Sequence, residues 1–421
     1  MKYKKTMILL VLAIFIFGVA SVCASDVNDT VIAREDDSIV ELSQADADEI
    51  MLTDENELIS QTDNELISEG NSGTFAELQA NITQATEGST LTLNKNYECE
   101  DSFDSEGIPI DKALTIDGNG FKIDAQGKSR IFKITAENVI LKNITFANGY
   151  TTGKGGAVYF LSNGTVINCN FTLNTATDGG AIYYSDGTTG EAINCNFKDN
   201  LATSSGGALV FLGTGTVTGC NFINNAGNSG SGGAIYFIKG TMSDCNFTNN
   251  KAKYGGAIYF NSNGNVTDCC FTNNQATGNS GCGGAVFFDV ISSSKAVNCN
   301  FTNNTASGDG GAVYLLITGN VTNCNFADNS ANKSGGAVYF YKDSEVTNCN
   351  FTDNSADRGG AIRFSGTGTV KNCNFTNNKA TGTGNYDGGG AVHLQGTGSL
   401  TNCNFTNNTA TYYGGAFRFG I

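Results

Sequence analysis

Two features of the 421-residue sequence predict an all-β fold, a right-handed parallel β-helix solenoid with a short N-terminal capping helix. The first is a composition of 54 Gly, one Pro, no Trp and one His, which is unlike that of an ordinary enzyme domain. The second is a Gly-Gly-Ala motif that recurs every 23 to 30 residues, a period typical of stacked repeats. The motif begins at Gly155, Gly179, Gly206, Gly232, Gly255, Gly283, Gly310, Gly335, Gly359, Gly389 and Gly414.

Residues 1–24 have the organisation of a secretory signal peptide. Lys2, Lys4 and Lys5 precede an apolar run at 7–20, and residues 22–24 form a small-residue cleavage site. The run is too short to span a bilayer comfortably, and no later stretch is apolar enough to do so. We therefore predict a secreted or cell-surface protein with no transmembrane segment beyond the signal. An uncleaved run acting as a weak anchor is the alternative.

Residues 25–72 are predicted to form an acidic disordered spacer. Residues 26–70 carry fifteen acidic side chains against Arg34 alone, and such a segment cannot bury enough apolar surface to order itself. A pro-segment removed on export is the alternative. Residues 71–421 carry 25 acidic and 20 basic side chains, a net charge of −5. The solenoid therefore lacks the basic surface of a nucleic-acid-binding protein, and nucleic acid is not an expected partner.

Residues 73–107 are predicted to form an N-terminal cap and the first strands. Phe75, Leu78 and Ile82 recur at helical spacing, which indicates a short amphipathic helix. Thr74 precedes this run, and a Glu follows three residues later, as in a capping box. A helix laid over the first coil would close an otherwise exposed sheet edge.

Residues 108–421 are predicted to form the parallel β-helix. Each repeat contains three short β-prone segments separated by turn residues, and no stretch long enough for a helix. The coils should be right-handed, because crossovers between parallel strands nearly always are. In the strand after each Gly-Gly-Ala, residues such as Val158 and Phe160 should face inward and Tyr159 outward. An Asn such as Asn168 should form the left-handed corner before each Cys.

Two further residue types recur once per coil and should stack in columns. The second Asn of each Phe-x-x-Asn, as at Asn174, Asn304, Asn354 and Asn408, is expected to form a ladder of amide hydrogen bonds. Disulfides suit an exported protein, but Cys residues in register on parallel strands are poorly placed to form them. We therefore predict a column of buried thiols. It comprises Cys169, Cys195, Cys220, Cys245, Cys269, Cys299, Cys324, Cys349, Cys373 and Cys403.

The outward position of the strand after Gly-Gly-Ala is the candidate binding surface. It is aromatic over most of the repeats and becomes cationic or polar near the C-terminus. Exposed aromatic faces stack on sugars and on partner side chains, although aromatics also suit a sheet surface and stack on one another. The candidate residues are Tyr159, Tyr183, Tyr236, Tyr259, Phe287, Tyr314, Tyr339, Arg363, His393 and Arg418.

Catalysis is not expected from the sequence. A polysaccharide-active enzyme needs carboxylates clustered on neighbouring coils, and among Asp178, Asp309, Asp357 and Asp387 only the last two lie on neighbouring turns. His393 has no evident Asp or Ser partner, and no Cys-x-x-Cys pair indicates a metal site. We therefore predict a protein that is not an enzyme and has no metal, cofactor or catalytic residues. A lyase or hydrolase is the alternative.

Asn-x-Ser/Thr sequons occupy one outward position of the repeat. They suit glycosylation of an exported glycoprotein, or they reflect the preference of that position for Asn and Thr. The sequons at this position include Asn170, Asn246, Asn300, Asn350, Asn374 and Asn404.

The repeats resemble known surface proteins. Gly-Gly-Ala paired with Phe-x-x-Asn is similar to the repeats of chlamydial polymorphic outer-membrane proteins. The acidic leader together with Gly73–Gln79, Leu114–Gly120 and Asn138–Phe146 resembles the adhesin-like surface proteins of methanogenic archaea. That resemblance covers about residues 73–421 and implies a pectate-lyase-like β-helix at the cell surface.

We accordingly predict a non-catalytic adhesin-like protein that binds glycans or partner cells through an outward β-helix face. A structural cell-envelope component is a further alternative to the lyase or hydrolase. Residues 420 and 421 fall inside a repeat, without a polar cap. An uncapped last coil leads us to expect end-to-end self-association at the C-terminal coil.

Overall fold

The structure, a computed structural model, describes residues 72–289 and 294–420. The predicted signal peptide and, except for Ser72, the predicted acidic spacer lie outside the described residues. The described chain is a right-handed parallel β-solenoid of about 14 turns, as predicted. Each position in one coil pairs with the same position in the next, as Val158 pairs with Ile182 and that residue with Leu209.

The N-terminal helix spans Phe75–Gln84, which confirms the predicted helix. The Thr74 side chain accepts a hydrogen bond from the Glu77 backbone N–H at 3.1 Å, as an N-cap residue does. Phe75, Leu78 and Ile82 are buried in the solenoid core. The backbone N–H groups of the first turn donate to the Glu100 carboxylate, at 2.9 Å from Phe75. The helix is therefore held on the first coil by both apolar packing and its own polar end.

A coil has four strands where three were predicted. The first two belong to one 24-stranded sheet, because they run together as single strands in two coils, Leu209–Thr218 and Ile235–Ser243. The first column, which follows Gly-Gly-Ala in the repeats, otherwise comprises Ile108–Ile110, Phe132–Ile134, Val158–Phe160, Ile182–Tyr184, Ile258–Phe260, Val286–Phe288, Val313–Leu315, Val338–Phe340, Ile362–Phe364, Val392–Leu394 and Phe417–Phe419. The second otherwise comprises Thr90–Thr92, Thr115–Asp117, Val139–Lys142, Gly164–Ile167, Thr189–Ile193, Gly264–Thr267, Ser294–Val297, Gly319–Thr322, Ser344–Thr347, Gly368–Lys371 and Gly398–Thr401.

The other two strands of each coil form separate sheets. The 14-stranded sheet comprises Gly73–Thr74, Tyr97–Glu98, Lys122–Asp124, Thr145–Ala147, Asn170–Thr172, Asn196–Lys198, Asn221–Ile223, Asn246–Thr248, Cys270–Thr272, Asn300–Thr302, Asn325–Ala327, Asn350–Thr352, Asn374–Thr376 and Asn404–Thr406. The 10-stranded sheet was not predicted, because most of its strands have only two residues. It comprises Thr175–Ala176, Leu201–Ala202, Ala226–Ser231, Lys251–Tyr254, Gln275–Ala276, Thr305–Ala306, Ser330–Ala331, Ser355–Ala356, Lys379–Ala380 and Thr409–Ala410.

The corners between strands explain the recurring Gly and Asn. Gly155 has a φ of +66°, which disfavours any side chain. A Cβ on Gly156 would lie 2.3 Å from the carbonyl oxygen of Gly180 in the next coil, so only glycine fits there. Asn168 has a φ of +52°, in agreement with the predicted left-handed corner.

The inner columns match the prediction. Nδ2 of Asn174 donates to Oδ1 of Asn200 at 2.9 Å, and Asn200 donates in the same way to Asn225 at 3.0 Å. These amides are fully buried, so the ladder supplies the partners that burial requires. The ten predicted column cysteines are all free thiols, and burial raises the pKa of Cys169 well above its ordinary value. They act as small core residues.

Candidate functional site

The candidate residues lie in one column on the outside of the first strand column, interrupted by Val210 between Tyr183 and Tyr236. In-register pairing places Tyr236 beside Tyr259, and Tyr259 beside Phe287. The same pairing continues from Tyr339 to Arg363 and from there to His393. The last described coil adds Arg418 beside His393. We call these residues, from Tyr159 to Arg418, the outward column.

The aromatic part of the outward column is stacked on itself. Ring centroids lie 5.1 Å apart for Tyr259 and Phe287, 4.7 Å for Phe287 and Tyr314, and 4.9 Å for Tyr314 and Tyr339, with the planes near parallel. Tyr183, in an earlier coil, is only 3% exposed. The rings are thus less exposed than predicted, because Tyr183, Phe287 and Tyr339 are buried and the other rings of the column are half-buried. Binding at these residues stays a prediction.

The C-terminal part of the outward column is cationic and buried. Arg363 is 8% exposed and His393 4% exposed. Arg363 donates to Ser334 Oγ at 3.1 Å and to Gln395 Oε1 at 2.6 Å, and its guanidinium lies 6.0 Å from the Tyr339 ring centroid. The Nε of Arg363 and the Nδ1 of His393 are buried without a hydrogen-bond partner. The arrangement leaves two polar atoms unsatisfied at neighbouring positions.

Burial and the neighbouring positive charges keep His393 neutral. Burial, followed by the guanidinium groups of Arg363 and Arg418, lowers the pKa of His393 to about 4. Burial opposes ionisation of Asp387, but hydrogen bonds from the Gly384 N–H and from Arg358 outweigh it and lower the pKa of Asp387. At neutral pH the cluster thus contains an uncharged imidazole and an ionised carboxylate.

Two clefts open over this part of the column. They meet at the hydrogen bond between Arg363 and Gln395, which line both. The first cleft has a volume of about 980 Å³ and is also lined by Ile317, Thr318, Tyr339, Tyr341, Lys342, Asp343, Ser365 and Gly366. The second has a volume of about 570 Å³ and is also lined by Arg358, Tyr386, His393, Arg418, Phe419 and Gly420. Volumes of this size suit small-molecule or oligosaccharide ligands. We call the two clefts together the C-terminal groove.

Sequence reasoning missed the groove residues that come from loops. Tyr341 is 46% exposed and Tyr386 76% exposed, so both rings are more accessible than the column rings, although the Lys342 ammonium lies over the Tyr341 ring, 5.4 Å from its centroid. Gln395 follows the strand that contains His393 and was also missed. One signal could have found Tyr386. It lies in the 30-residue repeat that begins at Gly359, the longest of the series, and insertions in repeats often carry binding loops.

The four candidate carboxylates do not gather into one site. Asp387 Oδ1 lies 2.6 Å from Arg358 Nε in an ion pair. Asp357 accepts a hydrogen bond from Thr381 Oγ1 at 3.2 Å, and Asp178 accepts one from the Ser205 backbone N–H at 3.1 Å. Burial raises the pKa of Asp309. Within residues 72–289 and 294–420, no three His, Cys, Asp or Glu side chains are grouped to hold a metal ion.

The sequon asparagines, together with asparagines at the same repeat position that are not sequons, such as Asn196, form a second amide ladder at the surface of the 14-stranded sheet. Nδ2 of Asn196 donates to Oδ1 of Asn170 at 2.9 Å, and Asn374 donates to Asn350 at the same distance. Glycosylation remains a prediction, and a glycan on Asn170 would have to be accommodated beside this ladder.

Family models match two parts of the chain. The right-handed β-helix region matches residues 285–420, and the Chlamydia polymorphic membrane protein repeat matches residues 244–261. The predicted similarity to chlamydial repeats is thereby confirmed at the level of the repeat. None of the curated proteins matches the chain. No helix among the described residues is long and apolar enough to cross a membrane.

Two solved structures are similar to the chain. The alginate lyase AlyF-OU02 has 9% identity and a TM-score of 0.37, over 83% of this chain and 87% of that chain. A PL6 alginate lyase solved with a trisaccharide has 10% identity and a TM-score of 0.29, over 82% of this chain and 85% of that chain. Both are enzymes, which contradicts the expectation that this chain is not one. At this identity the likeness concerns the fold and identifies no catalytic residue.

Proposed function

We propose that the protein is exported and binds a polysaccharide in the C-terminal groove. The observation that carries the proposal is the groove itself, in which two clefts of about 980 and 570 Å³ meet over the outward column. Tyr341 and Tyr386 lie in different clefts with largely exposed rings. Aromatic faces pack against the apolar faces of sugar rings, and nearby polar groups fix their orientation.

The repeat spacing also suits a linear polymer. Successive coils lie roughly 4.8 Å apart, so the outward column presents its side chains at an even spacing along the solenoid. The groove follows the solenoid axis across the coils that contain Tyr339, Arg363, His393 and Arg418. A polymer lying along it would therefore meet equivalent protein positions at regular intervals.

Export follows from the predicted signal peptide at residues 1–24. At a cell surface, binding of polysaccharide on another cell would be adhesive, as the resemblance to surface proteins of methanogenic archaea implies. The groove is the binding face we propose, in place of the stacked rings farther along the outward column.

The test is a binding titration of the full chain against polysaccharides and their oligosaccharides, beside two variants. Tyr341→Ser and Tyr386→Ser should each weaken binding, roughly tenfold for the loss of one stacked ring. Tyr150→Ser is the matched control, because Tyr150 is 44% exposed but lies outside both clefts. Equal binding by all three variants and the parent would contradict the groove as the site.

Cleavage of the bound polysaccharide is the second candidate function. The observation that favours it is His393, which burial and two neighbouring guanidinium groups keep neutral at the floor of the second cleft. A neutral imidazole is the form that accepts a proton as a general base. Incubation with acidic polysaccharide should then shorten the chains, and His393→Gln should abolish the shortening even at polysaccharide concentrations that saturate the variant. Chains of unchanged length would rule this candidate out.

A further inference from the structure

The arginines of the chain are concentrated in one place. Three of the five, at 358, 363 and 418, and the single histidine lie along the second cleft. Residues 71–421, with these arginines included, have a net charge of −5. A local excess of guanidinium groups in an acidic chain is the pattern expected where an anion is recognised.

The described acidic residues offset this cluster only in part. Asp387 forms its ion pair with Arg358, and the charge of Asp309 acts on Arg363 without an ion pair between them. Arg418 donates to the backbone carbonyls of Asp387 and, at 3.1 Å, Asn385. Arg363 bonds only neutral side chains, Ser334 and Gln395, and none of the ion pairs among the described residues includes it. Two of the three guanidinium groups thus form none of the ion pairs found among the described residues.

The unsatisfied atoms lie on the side chains that are most deeply buried. Arg363 and His393 are both more than nine-tenths buried, they are paired in register, and both line the second cleft. Their Nε and Nδ1 have no partner. A buried polar atom without a partner is costly, and a buried cation without a counter-charge more so. The fold retains both at one point of the groove.

We propose that Arg363, His393 and Arg418 form a binding site for the carboxylate of an acidic sugar residue. This inference rests on the proposed function and names the class of polysaccharide that the groove selects, a polyuronate. A carboxylate would pair with the part of the Arg363 guanidinium that lines the clefts, whose planar geometry suits it. It would also give Arg363 and Arg418 an ion-pair partner. The arrival of an anion favours the protonated imidazole, so binding should raise the pKa of His393.

The first experiment compares three hexasaccharides on the full chain by calorimetric titration. These are a hexagalacturonate, a neutral galactan hexamer and a sulfated galactan hexamer. We expect the hexagalacturonate to bind at least about tenfold more tightly than the neutral hexamer, because a charge-assisted hydrogen bond contributes that much. Equal binding of the neutral and acidic hexamers would overturn the carboxylate site. Tighter binding of the sulfated hexamer would overturn it too, in favour of a sulfate site.

Variants test whether Arg363 and Arg418 cause the preference for the acidic hexamer. Arg363→Gln and Arg418→Gln should each reduce hexagalacturonate affinity by roughly tenfold and leave the neutral hexamer unaffected. Arg418 is only half-buried, so its variant tests the site even if Arg363→Gln disturbs the fold, which circular dichroism would reveal. Lys251→Gln is the charge-matched control, since Lys251 is exposed and lies on the 10-stranded sheet. An equal loss in Lys251→Gln and Arg418→Gln would overturn the inference.

The outcomes separate the two proposals. If none of the hexamers binds, both the proposed function and the carboxylate site are wrong. If neutral and acidic hexamers bind equally and Tyr341→Ser weakens both, the proposed function stands and only the carboxylate site fails.

Discussion

The outward column has two parts that occupy the same position of the repeat but differ in how their side chains contact the neighbouring coils. From Tyr236 to Tyr339 the centroids of neighbouring rings lie 4.7 to 5.4 Å apart, so each ring packs against the ring in the next coil. From Arg363 to Arg418 the column holds two guanidinium groups separated by a neutral imidazole, and these side chains do not pair with one another. The result is the pair of unpartnered buried atoms at Arg363 and His393. Stacked aromatic rings stabilise the solenoid, whereas the Arg and His side chains leave buried polar atoms without hydrogen-bond partners.

The largest expected effect is on the pH dependence of stability. Burial, Arg363, Arg418 and Arg358 lower the pKa of His393 to about 4 from a usual 6.5, against a hydrogen bond with the Gly388 backbone that raises it. The unfolded chain therefore binds the proton more readily. The stabilisation is complete above pH 6.5 and is lost as the pH falls towards 4, by about 3 kcal/mol.

Denaturant unfolding of the parent and of His393→Gln across this pH range measures the effect. The parent should lose stability between pH 6.5 and 4, and the variant, which has no imidazole, should lose less. Parallel curves for the two proteins would show that the cationic part does not disfavour a protonated His393.

Making the cationic part aromatic should remove binding without unfolding the chain. In the double variant Arg363→Tyr with His393→Tyr, the column would continue the stack beyond Tyr339. We expect hexagalacturonate affinity to fall by roughly a hundredfold, because two charged partners are lost. The melting temperature should stay the same or rise. If the double variant binds hexagalacturonate as tightly as the parent, the Arg363 and His393 side chains are not the part of the column that binds it.

Removing a ring from the aromatic part should have the opposite result. Tyr314 stacks on Phe287 on one side and on Tyr339 on the other. Tyr314→Ser should cost about 2 kcal/mol of stability, from two lost aromatic contacts and the apolar area of the ring. Hexamer affinity should not change, because Tyr314 is outside both clefts. Calorimetric melting and titration of the same sample check both statements, and a loss of affinity at unchanged stability would reverse the roles we assign.

The smallest expected effect on stability is at the groove loop. Tyr386 is 76% exposed, so Tyr386→Ser should change the free energy of unfolding by less than about 0.5 kcal/mol. Tyr386→Ser should therefore weaken binding and leave stability nearly unchanged, which is the opposite of the result expected for Tyr314→Ser. A large loss of stability in chemical denaturation would indicate that the ring supports the loop rather than the ligand.

The sequence alone determined most of what recurs from coil to coil. The left-handed Asn168, the inner Asn174 ladder and the buried Cys169 column were all predicted, because each repeats at a fixed period, whereas the two-residue strands of the 10-stranded sheet were too short to predict. The outward column itself was predicted for the same reason. Its identity as one surface follows directly from in-register stacking.

Only the tertiary structure decided what differs from coil to coil. Whether a column ring such as Tyr314 presents its face or its edge depends on the residue above it, about 25 positions away in the chain. The groove depends on loops of unequal length that bring Tyr341, Tyr386 and Gln395 over the column. The repeat specifies the solenoid because the same residue types contact one another in successive coils. The groove arises where the coils depart from the repeat, and those departures have no periodic signal in the sequence.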